Sequence, residues 1–208
     1  MNMPKYLKSF SIFLALWTIA LTGCMGKIKY PTYYALNLAP APDPPARTGA
    51  LASIAVREFQ APTYLREGPI VYLISSEEIG FYEYHRWAVD PRKAITNAII
   101  ERLRGSGNFA LVKTYDGRND VDYVLSGRLD KLDEADYEHG VQVEVALSAQ
   151  VIDLHNGRTV WTNSASNTAK LEERKVSAVV TQMSSTANQS IEELLKSLAL
   201  PPLTTVKP

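Results

Sequence analysis

From Gly140 to Asp153 apolar and polar side chains alternate. Val141, Val143, Val145, Leu147, Ala149 and Val151 are separated by Gln142, Glu144, Ala146, Ser148 and Gln150. A period of two puts the first set on one face, which predicts a half-buried β-strand. Upstream, Val121, Tyr123, Leu125 and Leu129 alternate in the same way with Asp122, Ser126, Arg128 and Asp130. Downstream, Asn156-Gly157 is a tight-turn signal leading into a further strand, R-T-V-W-T-N-S-A-S. The period changes to that of a helix in two places. Ala94, Ile95, Ala98, Ile99 and Leu103 share a helical face behind Asp90-Pro91, an N-cap followed by proline at the first helical position. Gly105 is expected to end that helix in the left-handed conformation. A longer helix is expected from about Glu172 to Leu198. Its stripe is Val176, Val179, Val180, Met183, Ala187, Ile191, Leu194 and Leu198, and Pro201-Pro202 stops it.

Four further stretches read as strands: T-Y-Y-A-L-N-L (32–38), L-A-S-I-A-V-R-E-F (51–59), a hairpin formed by 70–74 and 79–87, and F-A-L-V-K-T-Y (109–115). Between the first two, A-P-A-P-D-P-P-A-R is too rich in proline to enter a sheet interior. The hairpin region is strongly aromatic, with Tyr64, Tyr72, Phe81, Tyr82, Tyr84 and Trp87. Strict alternation sends Phe81 and Trp87 to one face, with Trp87 in the core, and Tyr82 and Tyr84 to the other. The order is strands and a helix, then strands and a helix. That implies an α+β fold: a two-layer sandwich, its mostly antiparallel sheet covered by two helices on one face. One domain is expected over 32–200, with a disordered tail at 201–208.

The first twenty-three residues follow a different logic. Lys5 and Lys8 precede a dozen apolar residues, Phe10 to Leu21, and then Thr22-Gly23. This is the layout of a secretory signal peptide, and the run falls short of the roughly 20 apolar residues a spanning helix needs. It ends on Cys24, the only cysteine in the chain. L-T-G-C resembles the bacterial lipobox at all four positions. That resemblance implies cleavage before Cys24, a diacylglyceryl group on its sulfur and an acyl chain on its new amine. An unpaired thiol in an exported protein would otherwise be an anomaly. Several acyl chains hold a protein at a membrane where one does not. Residues 24–31 then form a lipidated tether. Met25 is not the aspartate associated with inner-membrane retention, so the periplasmic face of the outer membrane is the expected destination.

Charge and chemistry narrow the function. Without residues 1–23 the chain keeps twenty basic and twenty-two acidic side chains, which leaves no basic excess to neutralise a phosphate backbone and gives a nucleic-acid role little support. No disulfide or cysteine-ligated metal is available, so apolar packing must supply stability. His85, His139 and His155 have no partner at metal-ligand spacing, and no G-x-S-x-G nucleophile motif occurs. R-G-S-G-N-F (104–109) follows a helix, whereas a phosphate-binding loop opens one. D-K-L-D-E-A-D-Y-E-H-G (130–140) lacks the ligand spacing of a calcium loop and reads as a solvated hairpin tip. No catalytic set, metal site or cofactor is expected.

The stretch A-P-T-Y-L-R-E-G-P-I-V-Y-L-I-S through F-Y-E-Y-H-R-W-A-V-D-P to Leu103 resembles the ABC-type transport auxiliary lipoprotein family, the paraquat-inducible lipoprotein group. The residues that carry the likeness are Tyr64-Leu65, Ile70-Val71, Tyr82, Tyr84, Arg86-Trp87-Ala88 and Leu103. Tyr33, Tyr34 and Leu36 soon after the lipobox agree with it. The resemblance implies a non-enzymatic docking component of an envelope system in which mammalian-cell-entry (MCE) domain proteins carry lipids between membranes. An MCE-domain partner is implied, with room for a homo-oligomer. Tyr82 and Tyr84 are the candidate partner contacts, since tyrosine suits a surface that is part apolar and part wet. Two other classes remain open: a periplasmic lipid-binding carrier, which needs a cavity between helices and sheet, and an envelope hydrolase.

Overall fold

A computed structural model describes residues 29–40, 52–118, 120–137, 140–173 and 175–198. The signal peptide, Cys24 and the tail at 201–208 lie outside the described residues, as does His139. The described residues from Pro31 onward form one compact unit. Its elements are β1 (Thr32–Tyr34), β2 (Ser53–Val56), β3 (Pro69–Leu73), β4 (Ile79–Trp87), α1 (Pro91–Gly105) and β5 (Leu111–Thr114). After them come β6 (Tyr123–Tyr137), β7 (Gly140–Asp153), β8 (Thr159–Lys170) and α2 (Val176–Lys196).

The sheet is organised around β6. One of its edges pairs antiparallel with β7 over nearly its whole length, and β7 pairs antiparallel with β8. The other edge is divided. Tyr123, Val124 and Leu125 pair with β2, whose far side holds β5. Glu134 and Ala135 pair with β3, which continues to β4 and β1. The pairings β1–β4, β2–β5, β2–β6 and β3–β6 are parallel. The sheet is therefore mixed, and most of its paired residues stand in the antiparallel ladders β3–β4, β6–β7 and β7–β8, as expected. Parallel neighbours cannot be joined by a tight turn. Here β2 and β5 are separated in the chain by the β3–β4 hairpin and α1.

The first helix starts as its sequence dictates, with Asp90 Oδ1 accepting from the Arg92 amide at 2.9 Å and Pro91 behind it. Its end differs from expectation. Gly105 is still helical, the Ser106 hydroxyl donates to the Leu103 carbonyl at 2.7 Å, and the reversal falls on Gly107 at φ 69°. The second helix starts at Val176, without a side-chain cap from Lys175.

Both helices pack on one face of the sheet. Ile95, Ile99 and Leu103 of α1 and Val179, Met183, Ala187, Ile191 and Leu194 of α2 share one core with Leu125, Leu129 and Leu132 of β6 and Val143, Val145, Leu147 and Val151 of β7. The β7 alternation is realised residue by residue, its odd positions from Val141 to Val151 all buried. Phe59 enters the same core and lies against Gly127, where an added Cβ would be 2.2 Å from the ring. The opposite face carries a small cluster of its own, Ala55, Val121 and Val124 with Tyr115 and Leu154. The architecture is the expected two-layer α+β arrangement with an open sheet.

One segment overturns its reading. Of the run 130–140 only the end is a hairpin tip, where Tyr137 pairs with Gly140; 130–135 belong to the body of β6, where Leu132, Asp133 and Ala135 are 0% exposed and Glu134 4%. Strand β3 lands on this edge and β7 covers the other, so acidic residues that look solvated are taken inside the sheet.

Candidate functional site

The β3–β4 hairpin does not keep regular alternation. Val71 faces Phe81, yet Pro69 faces Arg86, so two steps along β3 answer five along β4. The surplus of three residues is odd, and an odd surplus reverses which face later side chains occupy. Phe81 and Trp87 consequently part company. Trp87 is 7% exposed and belongs to the core, whereas Phe81 is 41% exposed on the open side together with Ile79. Expecting both on one face assumed an unbroken strand.

The tyrosines turn toward the helix side. Tyr72 lies flat over Gly80, which has no Cβ to obstruct it, and its ring is 4.9 Å from that of Tyr82. The Tyr82 hydroxyl donates to Glu134 Oε2 at 2.7 Å, giving a carboxylate that is 4% exposed a strong acceptor bond. Tyr82 is half-buried and packs against the core. Tyr84 is also half-buried, and a hydrogen bond to Glu83 raises its pKa. His85 is half-buried, with Nδ1 3.1 Å from the Tyr34 hydroxyl. The hairpin thus brings Tyr72, Tyr82 and His85 together on one side and leaves Ile79 and Phe81 outside on the other.

On the open side of β6 stands a group that composition could not reveal. Asp133 pairs across the ladder with Glu144, and neither of its oxygens has a hydrogen-bond partner among the described residues. Lys131 instead donates to both oxygens of Glu144 at 2.9 Å. Burial pushes the Asp133 carboxyl up to about 7, the Glu144 charge adds to the rise, and Lys131 opposes it. Tyr64 is raised as well, by burial first and then by the charge of Asp133. The signal in the sequence was Leu132 and Ala135, two apolar residues inside an acidic run.

Other features lie apart. An open groove of about 590 Å³ between the C-terminal ends of α1 and α2 is lined by Leu103, Phe109, Leu195 and Leu198, with Arg102 and Lys196. His155 is exposed beside Asp153 and Asp122. Among the described residues no three His, Cys, Asp or Glu side chains stand close enough to hold a metal, and no helix is long and apolar enough to cross a membrane.

Comparison with solved structures places the fold. The chain is similar to protein XCC0632 from Xanthomonas campestris at 18% identity and TM-score 0.67, covering 79% of this chain and 92% of that one. A crystal structure titled only as an uncharacterized protein matches at 14% identity and TM-score 0.62, covering 82% and 99%. The hypothetical protein CT253 from Chlamydia trachomatis matches at 12% identity and TM-score 0.50, covering 71% and 95%. At these identities the likeness is one of fold. No curated protein matches. The sequence pattern described as ABC-type transport auxiliary lipoprotein component matches residues 34–194, from Tyr34 beside β4 to the last buried turn of α2. The chain belongs to the ABC-type transport auxiliary lipoprotein component family.

Proposed function

We propose that this chain is a lipid-anchored, non-catalytic docking component of an ABC-type envelope transport system. It is held on acylated Cys24 at the periplasmic face of the outer membrane and engages an MCE-domain lipid-transport protein. The observation that carries the reading is the family match, which runs through the whole folded unit. The lipobox and signal peptide supply the anchor and the route of export. Several acyl chains on Cys24 give lasting attachment, and the folded unit, reached through the short tether, presents its surfaces to the periplasm.

The carrier reading would need space between helices and sheet. There Met183, Ala187 and Ile191 of α2 and Val145, Leu147 and Val151 of β7 are all 0–1% exposed, and the groove at the helix ends lies on the surface. That packing favours docking over carriage. The test is affinity purification of the full-length protein from its own cells in mild detergent, with mass spectrometry of the co-purified proteins and of the Cys24 peptide. An acylated Cys24 and an MCE-domain protein are the expected findings. An unmodified Cys24 with no envelope partner would overturn the proposal.

A further inference from the structure

We infer that the outward strip of the β3–β4 hairpin, Ile79 and Phe81 with Leu73 between strands, is the surface that meets a protein partner presenting an apolar ridge flanked by lysines or arginines. This rests on the docking reading above and names its contact surface.

Three observations carry it. First, Ile79 and Phe81 are each 41% exposed at alternate positions of one strand, and Leu73, half-buried, pairs directly with Ile79. They form a continuous apolar strip on the side away from Tyr72 and Tyr82. An aromatic and a β-branched residue left in water on a hairpin are the kind of anchors that interfaces bury. The register surplus in β4 creates this exposure, since an unbroken strand would have sent Phe81 to the side of Trp87.

Second, the strip is held ready. Ser75 Oγ accepts from the amides of Glu77 and Glu78 at 3.3 and 3.1 Å, and the Ile74 amide donates to the Glu78 carbonyl at 3.0 Å. The turn is thereby tied by its own bonds, and ordering it costs little on association.

Third, the charge at the turn end of the strip is acidic. From Leu73 to Tyr84 the charged residues are Glu77, Glu78 and Glu83, all exposed, and the basic residue of the hairpin, Arg86, lies at the far end of β4. Glu77 and Glu78 form no ion pair among the described residues. This decides between occupants. An anionic membrane surface would be repelled, and two-fold pairing of a second copy would set carboxylates against carboxylates. A partner with basic residues around an apolar ridge gains attraction from the rim and burial from the centre.

The experiment places p-benzoylphenylalanine at position 81 of the full-length protein in its own cells, irradiates, and identifies the attached peptide by mass spectrometry. The expected result is an adduct with one envelope protein, at a peptide carrying lysine or arginine within a few residues of the attachment point. Joint replacement Glu77→Lys, Glu78→Lys and Glu83→Lys should lower the yield at least tenfold, with the melting temperature and the level of protein unchanged. An adduct with a second copy, with lipid, or with no protein at all overturns the inference. So does a yield indifferent to the charge reversal. A second photoprobe at Gln150, exposed on β7, separates this failure from that of the docking role. Crosslinking to a transport protein from 150 but not 81 removes the hairpin and keeps the role. Silence at both positions, without co-purification of a partner, removes both.

Discussion

Replacing Asp133 with asparagine puts the buried carboxylate to a quantitative test. The carboxyl sits near 7 in the folded chain against an ordinary 3.8, because burial and the neighbouring Glu144 disfavour its charge. One pKa unit corresponds to about 1.4 kcal/mol, so the ionised form costs the fold roughly 4 kcal/mol. The sign follows from proton counts. Between about pH 4 and pH 7 the folded chain holds a proton on Asp133 that the unfolded chain has released, so stability falls as pH rises through that window. About 2.5 kcal/mol of the fall lies between pH 5 and pH 8. Asparagine has nearly the same shape and no charge to acquire. Urea unfolding of the chain with Cys24→Ser and without residues 1–23, at pH 5, 6, 7 and 8, should show the wild type losing stability relative to Asp133→Asn. The variant should be the more favoured of the two at pH 8 by that same amount relative to pH 5. Groups common to both chains, the histidines included, cancel in the difference. Any constant cost of the buried amide shifts the variant's profile without tilting it. Parallel profiles from pH 5 to pH 8 would refute the reasoning, since they would mean that Asp133 is not held protonated by its surroundings.

Three further outcomes follow from contacts already described or from their neighbours. Gly127→Ala would drive a methyl group into the Phe59 ring, 2.2 Å away. It should cost about 1–3 kcal/mol in thermal melts, and Phe59→Leu in the same chain should recover part of the loss. Asp122 Oδ2 accepts from the amide and hydroxyl of Ser53 at 2.7 and 2.6 Å. Burial alone would raise this carboxyl, but the Ser53 bonds outweigh it and hold the pKa below its usual range. Asp122→Asn should therefore cost about 1–2 kcal/mol at pH 7, and the difference should fade as pH drops below about 4. Lys175→Asp supplies α2 with the N-cap it lacks and should add about 0.5–1 kcal/mol. An unchanged melting temperature would mean that the preceding turn, and not the cap, sets the helix start.

Legibility in the sequence tracked how locally each feature is determined. The β7 strand, its turn at Asn156-Gly157 and both amphipathic stripes could be read directly, because burial there follows a fixed period along one element. What failed depended on a neighbour. Phe81 was assigned the wrong face because the three-residue surplus in β4 exists only relative to β3. The run 130–140 reads as a tip throughout because the burial of Leu132 to Ala135 depends on β3 arriving at Glu134 and Ala135. The parallel pairings were missed for the same reason: they join segments far apart in the chain. Two glycines did carry a local hint. Isolated glycine inside a strand marks close approach, and Gly80 and Gly127 are the places where Tyr72 and Phe59 come down on the sheet. Of the candidate contacts, Tyr82 and Tyr84 both lie on the hairpin, but the Glu134 partner of Tyr82 and the register surplus of β4 arise from strand pairing that the order of residues does not show.

The divided edge of β6 has a consequence for hydrogen exchange. Strand β3 is joined to β6 by only two register pairs, at Tyr72 and Leu73, whereas β7 is joined by fourteen. The β1–β4–β3 lobe is therefore expected to open as a unit of its own, at a lower free energy than the β6–β7–β8 ladder. Its amides from Ile70 to Leu73 should exchange before those of Val143 to Val151. A partner seated on the hairpin would slow that opening, so protection of residues it never touches becomes a record of its binding.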